Sequence, residues 1–163
     1  MAEFDIDALF TALDAERRSR GLSWEKIARE MGGMFGINPS TLSGMRSKRV
    51  VEGDGVLGML RWLGRTPESF VPGHPAPTEN TALPVVGSFR LLRFDTKAIY
   101  VALDAQRVAR GMTWKAVAKE IGGLGAAGLT RLERGGRTAF PEVMRIVRWL
   151  GRPAASFTRI ADR

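Results

Sequence analysis

Apolar residues recur at intervals of three and four along most of the chain, which is the spacing of one face of an α-helix. In the first segment Ile6, Leu9, Phe10 and Leu13 follow this spacing, and Gly21 is a typical helix stop. No stretch within the helical segments alternates convincingly with a period of two. The pattern therefore predicts an all-α fold.

Capping residues mark where the next helices begin. Ser23 predicts the start of a second helix that reaches about Met31, because a serine side chain can accept a hydrogen bond from a free amide of the first turn. Asn38 and Pro39 predict the start of a third helix, with proline at its first position. A fourth helix is expected over about residues 55–63.

The whole helical pattern occurs twice. The phrase GLSWEKIAREMGG at 21–33 returns as GMTWKAVAKEIGG at 111–123, and each copy closes on a turn with a phenylalanine, Phe70 or Phe157. Self-similarity of this kind predicts two copies of one small domain. We expect domain 1 at residues 1–71 and domain 2 at residues 92–163.

Residues 72–91 separate the two copies. Within this segment the sequence PGHPAPTENTALPVVGS at 72–88 is rich in proline and polar residues, a composition typical of an extended linker. A flexible linker of this kind would span roughly 20–25 Å on average. Residues 83–93 leave two interpretations open, a short strand or an arm packed on one domain.

The charge of the chain favours an anionic partner. The net charge is +8 and the pI is about 10.9, a range in which nucleic acid is a natural ligand. After Thr81, arginine and lysine outnumber aspartate and glutamate by more than two to one. Basic surfaces also occur on proteins that bind nothing anionic, so charge alone leaves both readings open.

Several functional classes are disfavoured by the composition. The chain has no cysteine, and its single histidine, His74, lies in the proline-rich linker. No glycine-rich phosphate loop follows a strand, and no pair of carboxylates suggests acid–base catalysis. We expect no enzyme activity, no cofactor and no metal. Because signal-peptide and membrane-spanning patterns are also lacking, we expect a cytoplasmic protein associated with the bacterial nucleoid.

Within each copy a short helix, a turn and a second short helix follow the helix-turn-helix order. In the second copy RVARGMTWKAVAKEIGG followed by LTRLERG resembles the lambda-repressor-like, or XRE-type, family of DNA-binding domains. This resemblance implies two tandem domains of four to five helices, the first of them degenerate, with a longer turn. The matching residues are Arg107, Thr113, Ala118, Gly122, Leu129, Leu132, Glu133 and Gly135.

The resemblance also implies a structural ion pair between Arg107 and Glu133. In the first copy Arg46 stands at the position of Glu133, so that Arg17 would lose its partner and meet a like charge. Three residues are candidates to compensate for this loss: Glu16, Glu30 and Glu52.

The positions that contact DNA in the family can be transferred to this chain. Trp24 and Trp114 are expected to pack rather than to touch DNA, because aromatic side chains mostly serve burial. Candidates for base contacts are Ala126, Ala127, Thr130 and Arg131 in the second copy, and Ser40, Thr41, Ser43 and Gly44 in the first. Candidates for phosphate contacts are Ser23, Thr113, Lys26, Lys115, Lys48, Arg49, Arg134 and Arg137.

Sequence-specific binding of double-stranded DNA is therefore the expected function, with two different recognition helices reading two non-identical half-sites of a regulatory site. An alternative is a protein-interaction or assembly module, of an antitoxin-like or phage accessory type, in which one or both copies no longer bind DNA. The sequence leaves open whether the chain forms a homodimer or binds another protein.

Overall fold

The computed structural model describes residues 3–31, 38–48, 52–73, 81–84 and 90–162 of the chain. Most of the described residues are helical, in agreement with the predicted fold class. In the first half the helices are α1 (Ile6–Ser19), α2 (Trp24–Glu30), α3 (Pro39–Lys48) and α4 (Gly53–Leu63), followed by a 3-10 turn over Pro67–Phe70.

The second half repeats this order and adds two strands. It consists of β1 (Arg90–Phe94), α5 (Thr96–Ala109), α6 (Trp114–Ile121), α7 (Ala126–Thr130) with a 3-10 continuation over Arg131–Arg134, α8 (Phe140–Leu150), a 3-10 turn over Ala154–Phe157, and β2 (Thr158–Asp162).

The helix starts follow from the capping residues. The side chains of Ser23 and Thr113 each accept a hydrogen bond from the amide three residues later, at 3.1 Å in both helices. Asn38 caps α3 in the same way at 2.8 Å, and Pro39 is the first helical residue, as predicted. The fourth helix begins at Gly53, slightly before its predicted start. Phe70 and Phe157 are both buried.

A small antiparallel sheet is the main departure from the predicted all-α fold. Strand β1 pairs with β2 in a register that runs from Arg90 opposite Asp162 to Phe94 opposite Thr158. Two adjacent leucines of β1, Leu91 and Leu92, are both buried, and this removes the period-two signal that would have predicted a strand. Of the two interpretations left open for residues 83–93, the strand is correct from Arg90 onward, and it crosses the predicted boundary between the linker and domain 2.

Equivalent elements of the two halves contact each other across a surface that we call the seam. Helix α4 packs against α8, and the two 3-10 turns touch. Glu52 forms an isolated β-bridge with Ala139, and these residues precede α4 and α8 respectively. Contacts between equivalent positions are the mark of an approximate twofold relation, as in the interface of a symmetric dimer.

Aromatic side chains fill the seam from both sides. Phe4 of the first half packs on Phe140 at a ring-centroid distance of 4.5 Å, while Phe94 lies 5.8 Å from the same ring. The Phe94 ring also covers Gly53, where an added Cβ would lie 2.9 Å from ring atom Cδ2. Gly53 thus leaves the space that the Phe94 ring occupies.

Buried carboxylates tie the two halves together. Asp54, which is 6% exposed, accepts hydrogen bonds from the Phe94 amide at 2.8 Å and from Arg93 Nε at 3.0 Å. Glu68 accepts one from the Ala154 amide at 2.7 Å. The apolar residues of both halves form one continuous core. The two copies therefore share one core and are not independent bodies held only by a linker.

The seam predicts opposite effects for two glycine-to-alanine substitutions. Gly53→Ala should reduce the free energy of unfolding by about 1–3 kcal/mol, because the new methyl group would press on Phe94 and on the Thr138 carbonyl oxygen, 2.9 Å away. Gly44→Ala should instead raise the free energy of unfolding by up to about 1 kcal/mol, since Gly44 is helical and its Cβ would meet no neighbour. Urea unfolding of both variants measures the difference. Equal effects would contradict the described packing of Phe94.

Candidate nucleic-acid interface

A cation–aromatic cluster joins α1 to α2 in the first half. The Arg17 guanidinium contacts Asp14 at 2.7 Å and donates to the Leu22 carbonyl at 3.1 Å. It lies 4.8 Å from the centroid of the Trp24 ring, and Trp24 in turn stacks on Phe10 with a centroid distance of 5.5 Å. Trp24 is half-buried in this cluster, which supports a packing role for the tryptophan.

The second half repeats the cluster with tyrosine in place of phenylalanine. Arg107 contacts Asp104 at 2.7 Å and lies 4.9 Å from the centroid of the Trp114 ring, which stacks on Tyr100 at 5.4 Å. Arg107 therefore pairs with Asp104 and not with Glu133, the partner that the family resemblance implied. An aspartate three residues earlier on the same helix is already on the facing side of the helix, so it is the nearer partner.

The expected loss of a partner in the first half does not occur either. Arg17 is paired with Asp14, and none of the three glutamates considered above is needed. Arg46 lies 3.7 Å from Asp7 and 5.3 Å from the centroid of the Phe10 ring. The positive charge at position 46 is thus placed against a carboxylate and an aromatic face.

A second repeated network links α2 to α4 in the first half and α6 to α8 in the second half. Glu120 of α6 accepts from Arg110 at 2.9 Å and from the indole nitrogen of Trp149 at 2.7 Å. These two hydrogen bonds, the one from Arg110 above all, hold the pKa of the Glu120 carboxyl below its usual range. The first half forms the same network from Arg20, Glu30 and Trp62. Trp62 and Trp149 therefore have a structural role, because their indole nitrogens tie the fourth helix of each copy to the second.

The segment that carries the candidate base contacts of the second half is short, and its helical geometry changes partway along. Helix α7 ends at Thr130, and residues 131–134 continue as a 3-10 helix. Leu129 and Leu132 are buried and anchor the segment to the core. Ala127 and Arg131 are exposed, and Arg131 forms no ion pair with any residue that the structure describes. Ala126 and Thr130 are half-buried beside them.

The candidate base-contacting residues of α3 are uncharged, and Ser40 already has a hydrogen-bond partner beside its own helix. Ser40 and Ser43 are exposed, whereas Thr41 and Gly44 are half-buried. The Ser40 hydroxyl donates to Asn38 Oδ1 at 2.6 Å, so it already has a local partner. At the described candidate positions the first half thus presents small polar groups, and the second half presents Arg131, whose guanidinium forms no ion pair within the described ranges.

The candidate phosphate-contacting residues are mostly on the surface. Ser23, Lys26, Thr113, Lys115 and Arg134 are exposed. Arg137 lies 3.6 Å from Glu52 across the seam. The side chain of Lys48 and the whole of Arg49 lie outside the described residues, and so does His74.

The residues that sequence reasoning missed are the acidic partners. Asp14 and Asp104 occupy the same position of the two copies, and so do Glu30 and Glu120. Their retention in the repeat, beside positions where charges changed freely, is the signal that marks them as structural. These carboxylates orient the arginine and tryptophan side chains that hold the first, second and fourth helices of each copy together.

Comparison with protein-family models, with curated proteins and with solved structures yields no match. None of the helices in the described ranges is both long enough and apolar enough to cross a lipid bilayer. Within the same ranges, no three histidine, aspartate or glutamate side chains come together in a way that could hold a metal ion.

The Glu120 network predicts a pH-dependent stability difference. A lowered pKa in the folded state means that ionised Glu120 stabilises the fold above its unfolded pKa, near 4.5, and that this contribution is lost as the pH falls through the folded value. Glu120→Gln should therefore lower Tm slightly at pH 7, and the difference from the wild type should close in acid.

Glu133→Gln is the matched control, because Glu133 is exposed and forms no ion pair in the described part of the chain. Thermal melts between pH 3 and pH 8 would compare the two variants. A larger loss of Tm for Glu133→Gln than for Glu120→Gln would favour the Arg107–Glu133 ion pair and contradict the described geometry.

Proposed function

We propose that the protein binds double-stranded DNA in a sequence-specific manner and acts as a transcriptional regulator of the helix-turn-helix type. The observation that carries the proposal is the exposed face of the α7 segment. Leu129 and Leu132 anchor this segment to the core, while Ala127 and Arg131, which forms no ion pair within the described ranges, are exposed. A recognition helix needs this division between buried anchors and exposed readers.

The chemistry of this face suits base edges in the major groove. A guanidinium such as that of Arg131 can donate two hydrogen bonds to O6 and N7 of guanine. The methyl group of Ala127 can contact the methyl group of thymine. Arg134, exposed at the end of the same segment, can reach a backbone phosphate, which contributes affinity without sequence information.

The shared core has a consequence for the DNA site. Because the seam fixes the two halves to one another, α3 and α7 would read half-sites at one set spacing, without the freedom that a flexible linker would allow. Ordinary dimers of this type place their readers about 34–36 Å apart, one turn of DNA. Since α3 and the α7 segment expose different side chains, the two half-sites should differ. A regulator of this kind would act in the cytoplasm, at the nucleoid.

The first half supports a second candidate function, docking of a protein partner. Around α3, Arg46 is engaged by Asp7 and by the Phe10 ring, and the exposed residues Ser40 and Ser43 are neutral. Among these described residues no cation is left without a partner, so this part of the face gains little from phosphate neutralisation. In this version the second half binds DNA and the first half recruits another protein.

Substitution of the exposed arginine tests the reading mode. Arg131→Ala should weaken binding to the preferred duplex by about 1–3 kcal/mol and should weaken binding to random duplex much less. Fluorescence anisotropy with a selected and a scrambled duplex, both at the same salt concentration, measures the two losses. Equal losses on both duplexes would make Arg131 a phosphate contact.

A pair of equivalent substitutions tests which half makes the main contact with DNA. Ala127 and Ser40 occupy the same position of the repeat, and both are exposed. A carboxylate at either position would be repelled by the DNA backbone. Ala127→Glu should reduce affinity for duplex DNA by about tenfold or more, and Ser40→Glu by less. The opposite ranking would assign the main DNA contact to the first half.

A further inference from the structure

A cleft of about 300 Å³ lies beside the two-stranded sheet, at the point where α5 begins and the 3-10 continuation of α7 ends. We call it the cationic cleft, because four of its lining side chains are basic. These are Arg93, Lys97, Arg134 and Arg159, and the loop residues Gly135 and Gly136 complete the wall.

Two of the four cations face each other directly. Arg93 of β1 is the register partner of Arg159 of β2, and like charges at directly opposed positions destabilise a sheet. Arg93 is neutralised by Asp54 at 3.0 Å, but the other oxygen of Asp54 accepts from the Phe94 amide. Arg159 is exposed and has no partner among the described residues. An anion between the strands would relieve this repulsion.

Like Arg159, the other two cations have no ion-pair partner in the part of the chain that the structure describes. Lys97 and Arg134 are exposed and form no ion pair within the described ranges. The Lys97 methylenes lie along Gly135, where an added Cβ would be 3.1 Å from Lys97 Cε. The acidic residue lining the cleft is Asp95, and one of its oxygens accepts from the Ala98 amide at 3.0 Å. The cleft therefore keeps a clear excess of positive charge.

The internal repeat shows that the fold does not require these charges. In the first half the position of Arg93 holds Glu3, and the position of Lys97 holds Asp7. The remaining two equivalents, of Arg134 and Arg159, are Ser47 and Pro72. At two of the four positions the first copy thus carries a carboxylate in place of the cation, and at the other two it carries no charge. Packing of the fold does not explain the concentration of positive charge, but binding of an anion would.

We propose that the cationic cleft binds a phosphate group. A phosphate offers several oxygens to converging donors, and arginine matches its geometry with two parallel N–H bonds. The group could belong to the DNA backbone or to a small phosphorylated molecule, and the chemistry at the cleft would be the same. This proposal goes beyond base reading by α7, and it can be tested without DNA.

The first experiment uses inorganic pyrophosphate as the probe on the full chain. A ligand that binds the folded state raises Tm with its concentration, so titrations at constant ionic strength give an apparent affinity. Pyrophosphate should stabilise the wild type. Arg159→Gln should weaken its binding by about threefold to fivefold, as expected for one exposed ion pair, and Arg159→Lys should retain most of it.

Lys119→Gln is the matched control, because Lys119 is an exposed cation on α6 outside the cleft. It removes the same charge and should leave pyrophosphate binding unchanged. Equal weakening by Lys119→Gln and Arg159→Gln would show a general charge effect and overturn the proposal. Failure of pyrophosphate to stabilise the wild type would overturn it as well.

A second arm identifies the source of the phosphate. If a DNA phosphate occupies the cleft, Arg159→Gln should reduce the slope of log K against log salt on random duplex by about 0.9. If a small phosphorylated molecule is the ligand, the slope should stay unchanged while pyrophosphate binding still weakens. A wild type that binds pyrophosphate but no duplex would retain the cleft and refute the proposed DNA-binding function.

Discussion

The packing of Phe4 and Phe94 across the seam is the constraint on which the rest of the structure depends. Each ring lies at the start of one copy of the repeat and packs at the N-terminal end of the fourth helix of the other copy. Phe4 packs on Phe140, and Phe94 packs over Gly53, which has no side chain. Asp54 fixes the adjoining strand by accepting from the Phe94 amide. These contacts make two small helical units into one body, and they determine where α3 and the α7 segment can lie relative to each other.

The repeated phrase that contains tryptophan and paired glycines is kept for structural reasons. The arginine of the preceding helix lies over the ring of Trp24 and of Trp114. Glu30 and Glu120 each accept a hydrogen bond from the indole nitrogen of the fourth helix. These groups hold α2 and α6 in place. The residues on the exposed faces of the following segments are free to differ, and they do: serines in the first half, alanine and arginine in the second. The two copies thus share their scaffold contacts and differ at these exposed positions.

Local features of the fold could be predicted from the sequence, and long-range ones could not. Ser23, Asn38 and Thr113 cap the helices where they were expected, because a cap depends on residues three positions apart. The pairing of β1 with β2 joins residues far apart in sequence, and the adjacent Leu91 and Leu92 gave no alternation. Pattern analysis has no access to such partners.

The candidate site shows the same division. The exposure of Ala127 and Arg131 agrees with helical periodicity. Arg107 pairs with the nearby Asp104 and not with Glu133, because the family pattern does not include this aspartate as a competing partner. The cationic cleft was missed because its four basic residues come from three separate stretches of the chain. Comparing the two copies position by position would have revealed its reversed charge without a structure.

We propose that the seam holds two different readers against one DNA duplex, and selection of binding sites from a random duplex pool tests this central proposal most directly. Repeated rounds with the full chain should enrich two dissimilar half-sites separated by a single spacing. Enrichment of the same two half-sites at many spacings would show that the halves move independently. The absence of any enriched site would contradict sequence-specific DNA binding itself.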